Sequence, residues 1–216
     1  MRKPEDTYRH KGLRKKLVDS IREKGITDEN VLEAMMNIPR HFFLDTALQD
    51  IAYEDRAFPI SEGQTISQPY TVAYQTLLLH VKQYDKVLEI GTGSVYQATV
   101  LAEMGAQVFT IERQKNLYEK SKNFIFRSKY PNIKFFYGDG FEGLPTYAPF
   151  DKIIITAAAP EIPPKLLEQL KVGGKMVIPV DEGKYQRMLR ITKKEDGFEE
   201  EAFENFSFVP MLKGKN

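Results

Sequence analysis

Short apolar runs that alternate with helix-like segments constrain the fold of this chain more than any other sequence feature. Residues 87–90, 108–112, 134–137 and 152–156 form four such runs. Helical composition returns at residues 97–104, 116–128 and 163–170, and a fifth apolar run follows at 175–179. Strands that are apolar along their whole length indicate a parallel sheet that is covered on both faces. The pattern therefore predicts an α/β fold, with a doubly wound and mainly parallel sheet and helices on both faces.

The two ends of the chain follow other patterns. Apolar residues recur at helical spacing over the first part of the chain, which predicts an N-terminal helical extension with Thr27 as the cap of its second helix. Residues 187–208 alternate polar and apolar side chains around a turn, which predicts a C-terminal antiparallel hairpin. We expect a single domain over residues 1–216. In it, residues 1–80 form the helical extension and a substrate-side loop, and residues 81–216 form a Rossmann-like core.

Charge and composition exclude several classes of protein. The 216 residues include 31 basic and 30 acidic side chains, so the net charge of +1 gives no basic footprint for nucleic acid. The absence of cysteine excludes disulfides, thiolate metal sites and a cysteine nucleophile. A charged N terminus and apolar runs far shorter than about 18 residues predict neither a signal peptide nor a membrane span. We expect a cytoplasmic monomer that binds no membrane, nucleic acid or metal.

A glycine-rich turn, Glu-Ile-Gly-Thr-Gly-Ser at residues 89–94, follows the first predicted strand. Glycines let the backbone turn tightly and approach a ligand, and the N terminus of the next helix presents unpaired N–H groups. Glu112 ends the second strand 21 residues after Gly91, where a carboxylate can accept hydrogen bonds from both hydroxyls of a ribose. Tyr96 stands where a dinucleotide site has its third glycine, and the chain has no P-loop. A nucleoside cofactor without phosphates therefore fits best.

A second polar turn, Gly138-Asp139-Gly140, closes the third predicted strand. Asp139 is expected at the same edge of the sheet, where its carboxylate can accept a hydrogen bond from the amine of an adenine. The alternative is a tight Asp-Gly turn with a structural role only. Three polar strand ends in one sheet favour the binding site.

Several segments resemble a known family when they are taken together and in order. The glycine turn, Glu112, the turn around Asp139 and residues 156–160 resemble the Rossmann-like methyltransferases that use S-adenosylmethionine. A narrower resemblance, to the protein-L-isoaspartate O-methyltransferases, extends from Pro39 to Val180. It is carried by Pro-Arg-His-Phe at 39–42, Ala-Tyr-Glu-Asp at 52–55, Gly-Gln-Thr-Ile-Ser-Gln-Pro-Tyr at 63–70, Ala-Pro-Phe-Asp at 148–151 and Leu-Lys-Val-Gly-Gly at 170–174. The segment at 63–70 is the most specific, because other methyltransferases have nothing like it.

This resemblance implies methyl transfer from S-adenosylmethionine to the free α-carboxylate of L-isoaspartyl residues in damaged proteins and peptides. The ester then forms a succinimide, which begins repair to aspartate. The resemblance implies Ser67 as the active-site residue, with Gln64 and Thr65 on the substrate side. From the residues alone, a helix-capping role for Ser67 is an equal alternative. The implied cofactor-binding residues are Glu89, Gly91, Thr92, Gly93, Ser94, Glu112, Asp139 and Gly140.

The side chains present suit the chemistry that this resemblance implies. A free α-carboxyl group has a pKa of about 3.5, so the acceptor is already ionised at pH 7 and needs no general base. A chain with three histidines and no cysteine is consistent with that requirement. Positioning of the acceptor and removal of its water then carry the catalysis.

One position departs from the family pattern. The usual loop has a glycine where this chain has Val95, and a β-branched side chain is costly where φ is positive. We expect Val95 to adopt a helical φ and to change cofactor affinity only modestly. The alternatives are a catalytically impaired relative, a binding module, or a methyltransferase of a small molecule or RNA. Against RNA, the Asn/Asp-Pro-Pro-aromatic segment typical of amino-group methylation is replaced by Thr-Ala-Ala-Ala-Pro at 156–160.

Overall fold

The computed structural model describes residues 5–216. The helices are α1 (Tyr8–Glu23), α2 (Glu29–Asn37), α3 (Pro69–Leu79), α4 (Tyr96–Glu103), α5 (Lys115–Ser121) and α6 (Pro164–Glu168). The strands are β1 (Phe58–Pro59), β2 (Thr65–Ile66), β3 (Lys86–Ile90), β4 (Gln107–Glu112), β5 (Ile133–Tyr137), β6 (Phe150–Ile155), β7 (Leu170–Asp181), β8 (Gln186–Lys194) and β9 (Gly197–Phe206). Short 3₁₀ helices lie at Arg40–Phe43, Thr46–Ile51 and Pro145–Tyr147.

A seven-stranded sheet in the order β5-β4-β3-β6-β7-β8-β9 forms the centre of the molecule. The strands from β5 to β7 pair in parallel, and β8 and β9 extend the sheet as an antiparallel hairpin. The predicted mainly parallel α/β fold with a C-terminal hairpin is therefore confirmed. The strand order reverses at β3, which has β4 on one side and β6 on the other, and this places a crevice at the carboxyl ends of these strands.

Apolar side chains of the sheet divide between its two faces. Leu88 and Ile90 pack in one core layer, whereas Val87, directly before Leu88, packs in the other, because successive strand residues point to opposite sides. A third apolar cluster joins the N-terminal helices to α3 and α4, and it contains both Leu17 and Val100. The N-terminal extension therefore shares a buried core with helices of the α/β part.

Two local predictions needed correction. The cap of α2 is Asp28 and not Thr27, since the Asp28 carboxylate accepts a hydrogen bond from the Asn30 amide at 3.0 Å. Helix α5 ends at Ser121, well before the expected residue 128. Beyond it, Phe124 and Phe126 both pack against the core layer. Side chains two residues apart point in different directions on a helix, so this packing favours turns over a continued helix.

Within residues 5–216, no helix combines the length and the apolar character needed to cross a membrane.

Candidate functional site

A narrow cleft with about 70 Å³ of free space lies at the carboxyl ends of β3, β4 and β6. The glycine turn after β3, Glu112 at the end of β4 and Thr156 after β6 line it together. Gln64, Thr65 and Gly140 also line this first cleft.

Glycine is required at the start of this cleft. Gly91 has a φ of +98°, and a β-carbon on it would lie 2.6 Å from Oγ1 of Thr156. The Thr156 hydroxyl donates hydrogen bonds to the carbonyls of Ile90 and Gly91, at 3.0 and 2.8 Å. The turn is therefore held closely against the end of β6. Any larger residue at position 91 would displace it.

Glu112 links the turn to the second strand. Its Oε2 accepts a hydrogen bond from the Gly93 amide at 2.9 Å, and its Oε1 accepts one from the Gln114 amide at 2.8 Å. Burial raises the pKa of Glu112, while the amides of Gln114 and Gly93 act in the opposite direction. A carboxylate oxygen has more than one acceptor site, so both oxygens keep capacity for hydroxyl donors in the cleft.

Four of the predicted cofactor residues, Glu89, Thr92, Ser94 and Asp139, lie outside the lining of the first cleft. Glu89 and Thr92 are 0% and 4% exposed, and the Thr92 hydroxyl bonds that of Thr110 at 2.6 Å. The Glu89 carboxyl has no hydrogen-bond partner among the described residues. Burial raises the pKa of Glu89 to about 8, and the charge of Glu112 adds to this, so the group is protonated at pH 7. Glu89 therefore packs beneath the turn and does not contact the cleft.

Asp139 is another of these residues, and its carboxylate holds the C-terminal tail. Its Oδ1 accepts a hydrogen bond from the Phe141 amide at 2.9 Å, and its Oδ2 accepts one from the Gly214 amide at 2.6 Å. The tail continues to Asn216, whose amide donates to the Arg113 carbonyl at 2.9 Å. Residues 209–212 line the first cleft. The tail residue Gly214 lies 75 residues along the chain from Asp139 and 101 from Arg113, so tertiary packing places this wall.

A second cleft adjoins the first and contains Ser67. Thr65 and Thr156 line both clefts, so the two spaces meet at this pair of threonines. Ser67 does not cap the following helix: the N-cap of α3 is Gln68, whose side chain makes no capping bond. That role belongs to Asp55, whose Oδ1 accepts a hydrogen bond from the Tyr70 amide at 2.8 Å. The helix-cap alternative for Ser67 is therefore wrong.

The backbone conformation of Val95 differs from the one expected from the sequence. Its φ is +72°, in the left-handed region, and not helical. The side chain is 3% exposed and lines a separate groove beside Phe43, together with Ser94. Val95 thus adopts the backbone shape for which glycine is favoured, at the cost of local strain. Val95 does not line the first cleft, although the groove that it lines shares Gly93 with that cleft.

A cluster of polar groups lies apart from both clefts, under α1. Asp6, His10 and His41 offer possible metal-binding atoms within 4.8 Å of one another. Both carboxylate oxygens of Asp6, however, accept hydrogen bonds from the guanidinium of Arg14, at 3.0 and 2.9 Å. A positive charge at this position opposes cation binding, and we assign no metal here.

Comparison with known proteins gives a consistent result. The family model described as protein-L-isoaspartate(D-aspartate) O-methyltransferase matches residues 12–216. A protein-L-isoaspartate O-methyltransferase of Cytophaga hutchinsonii is 57% identical over 209 residues, which cover 96% of this chain and 94% of that protein. One of Christiangramia forsetii is 54% identical over 211 residues, which cover 98% and 99%.

Solved structures agree with these relatives. A protein-L-isoaspartate O-methyltransferase structure is 28% identical with a TM-score of 0.83, over 91% of this chain and 65% of that one. A Plasmodium falciparum protein described as the same enzyme, in complex with S-adenosyl-L-homocysteine, is 28% identical with a TM-score of 0.80. The match covers 93% of this chain and 98% of that one.

Proposed function

The chain belongs to the protein-L-isoaspartate O-methyltransferase family, and on that premise we propose how its two clefts perform the reaction. The enzyme transfers a methyl group from S-adenosylmethionine to the free α-carboxylate of L-isoaspartyl residues in damaged proteins. The ester then loses methanol to form a succinimide, which reopens in part as aspartate. The observation that carries our proposal is that the clefts holding Glu112 and Ser67 meet at Thr65 and Thr156.

The residues of the first cleft fit an adenosyl group. S-adenosylmethionine supplies a methyl group on a positively charged sulfur. Glu112 is expected to accept hydrogen bonds from the ribose hydroxyls, as its remaining lone pairs allow. Gly91 and Gly140 both line this cleft, and Gly140 packs so closely on Ile90 that a β-carbon there would overlap the Ile90 side chain. The adenine contact of Asp139 stays a prediction, as do direct contacts from Glu89, Thr92 and Ser94.

The second cleft is proposed to hold the acceptor. An ionised carboxylate needs no proton removed, so the protein has to orient it and strip its water. The Ser67 hydroxyl can donate a hydrogen bond to the carboxylate without taking a proton from it. The reactants are a carboxylate and a positively charged sulfonium, and holding them in line lowers the barrier to methyl transfer.

Ser67→Ala tests this assignment. A hydrogen bond to a charged group contributes about 1.5–3 kcal/mol, so we expect kcat/KM for an isoaspartyl peptide to fall about 10- to 150-fold. Base-labile label from methyl-labelled cofactor should appear on that peptide and not on its normal aspartyl twin. S-adenosylhomocysteine should bind as before by calorimetry, because Ser67 does not line the first cleft.

Two variants serve as controls for this experiment. Ser67→Thr keeps a hydroxyl and should restore part of the rate, and Ser128→Ala changes an exposed serine. A Ser67→Ala enzyme within twofold of the wild type would remove Ser67 from the mechanism. Label on RNA or on a metabolite in place of the peptide would favour the alternative substrates.

Val95→Gly tests the strained position next to the turn. A non-glycine residue in the left-handed backbone region destabilises the fold by about 1–2 kcal/mol, and burial of a valine side chain stabilises it by a similar amount. We therefore expect the free energy of unfolding in urea to change by less than about 1 kcal/mol. Affinity for S-adenosylhomocysteine should change less than about threefold, because the side chain lies outside the first cleft.

Val95→Ala is the matched control, since it keeps the left-handed strain and removes only the branched side chain. Absence of binding to the wild-type chain at millimolar ligand, with binding restored in Val95→Gly, would instead identify an impaired enzyme.

Other expectations from the sequence also stay predictions. We propose that the chain acts as a single-domain monomer in the cytoplasm, on damaged proteins and without nucleic-acid or membrane partners. The near-zero net charge supports the part of this proposal that excludes a nucleic-acid partner.

A further inference from the structure

Arg40 is a buried arginine that the proposed chemistry does not use. It begins the 3₁₀ helix Arg40–Phe43 and is 1% exposed. Burial lowers the pKa of Arg40, and the charge of Asp55 is among the influences that oppose the shift. Taking a guanidinium out of water is costly, so a buried one is expected to have specific partners. Its contacts show what those partners are.

The guanidinium of Arg40 joins three separate parts of the chain. Its Nη2 donates a hydrogen bond to the Ser67 carbonyl at 2.8 Å, and its Nε donates one to the Ala52 carbonyl at 3.1 Å. Its plane centre lies 4.8 Å from the ring centre of Tyr96. Tyr96 is the first residue of α4, directly after the turn that lines the first cleft. Arg40 therefore contacts both the Ser67 segment and the element that follows the cofactor turn.

We propose that Arg40 is a positioning residue for methyl transfer, which fixes the Ser67 backbone relative to the turn at Gly91–Val95. This inference rests on the proposed function of Ser67. A planar guanidinium can donate to two carbonyls and stack on a ring at the same time, which an ammonium group cannot do. Without the Arg40 guanidinium the Ser67 carbonyl loses its hydrogen-bond donor. The Ser67 hydroxyl is then no longer held toward the acceptor carboxylate.

Arg14 provides a matched comparison within the chain. It is also buried, at 6% exposed, and its guanidinium bonds the Met36 carbonyl, Asp6 and the Tyr53 hydroxyl. None of these groups belongs to the Ser67 segment or to α4. Arg14 reaches the neighbours of Arg40 only through the Tyr53 hydroxyl, which also bonds His41, so its replacement reports mainly the cost of losing a buried arginine.

The experiment compares R40K with S67A, R14K and the double variant R40K/S67A. We expect R40K to lower kcat/KM for an isoaspartyl peptide at least about tenfold, the effect of one charged hydrogen bond. The dissociation constant of S-adenosylhomocysteine, measured by calorimetry, should stay within about threefold, because Arg40 does not line the first cleft. In the S67A background, R40K should cost less than about twofold further, since residues acting through one group are not additive.

Three outcomes would overturn the proposal. They are full multiplication of the two losses in the double variant, an equal loss of kcat/KM in R14K, and parallel loss of S-adenosylhomocysteine binding in R40K. If S67A is as active as the wild type, the proposed role of Ser67 fails, and so does any action of Arg40 through it. If R40K does not fold, R40Q replaces it, because a neutral amide avoids the cost of burying an ammonium group. The expected results are then the same.

Discussion

The Glu112→Ala variant is expected to bind S-adenosylhomocysteine at least about 100-fold more weakly than the wild type. It lacks the two charge-assisted hydrogen bonds, of about 1.5–3 kcal/mol each, that we propose between the Glu112 carboxylate and the ribose hydroxyls. The same change removes the acceptor of the Gly93 and Gln114 amides, so the turn itself loses its support. Isothermal titration calorimetry measures the loss directly. Catalytic rates at saturating cofactor should fall less than the affinity, since we propose that the substrate carboxylate binds in the other cleft.

Two further variants make this result specific to the carboxylate. Glu112→Asp keeps the charge on a shorter side chain and should retain more affinity than Glu112→Ala. Glu119→Ala removes an exposed carboxylate of α5 that pairs with Lys122 just beyond that helix, and it should leave the affinity unchanged. Equal affinities of Glu112→Ala and the wild type would show that the ribose contact lies elsewhere.

The free energy of unfolding is expected to fall by about 3 kcal/mol between pH 7 and pH 4 through His41 alone. His41 is fully buried, and its ring stacks on that of His10 at 3.9 Å between centres. Its Nδ1 lies 2.7 Å from the Tyr53 hydroxyl. Burial lowers the pKa of His41 to about 4, and the charges of His10 and Arg14 act in the same direction, against the hydrogen bond to the Glu5 carbonyl and the charge of Asp6.

The sign of this effect follows from proton binding. The unfolded chain takes up a proton at His41 near pH 6.5, whereas the folded chain does so only near pH 4. Stability from the neutral ring is therefore present above pH 6.5 and is lost as the pH falls toward 4. Urea unfolding at several pH values should show a shallower acid loss in His41→Gln than in the wild type. His80→Gln, at an exposed histidine whose pKa is also lowered, is the control. Parallel pH profiles of His41→Gln and the wild type would contradict the assignment.

Local pattern was sufficient for the sheet and for part of the site. Val87 and Leu88 put apolar side chains on opposite faces of β3 because this strand is covered on both sides, and such a run indicates a central parallel strand. Gly91 and Glu112 reach one cleft because each ends a strand, and neighbouring parallel strands end at one edge of the sheet. The positions of such residues follow from the repeat of apolar side chains along their own strand, and this repeat can be read from the sequence.

Only the tertiary structure decided the contacts between distant segments. The bond from Arg40 to the Ser67 carbonyl spans 27 residues, and that from Gly214 to Asp139 spans 75. No local periodicity encodes such a pair. Val95 shows the same limit for the backbone: its positive φ is imposed by the turn between β3 and α4, against the preference of a β-branched residue. The sequence determines which residues are buried and which strands end in polar groups, but packing determines which of these groups meet.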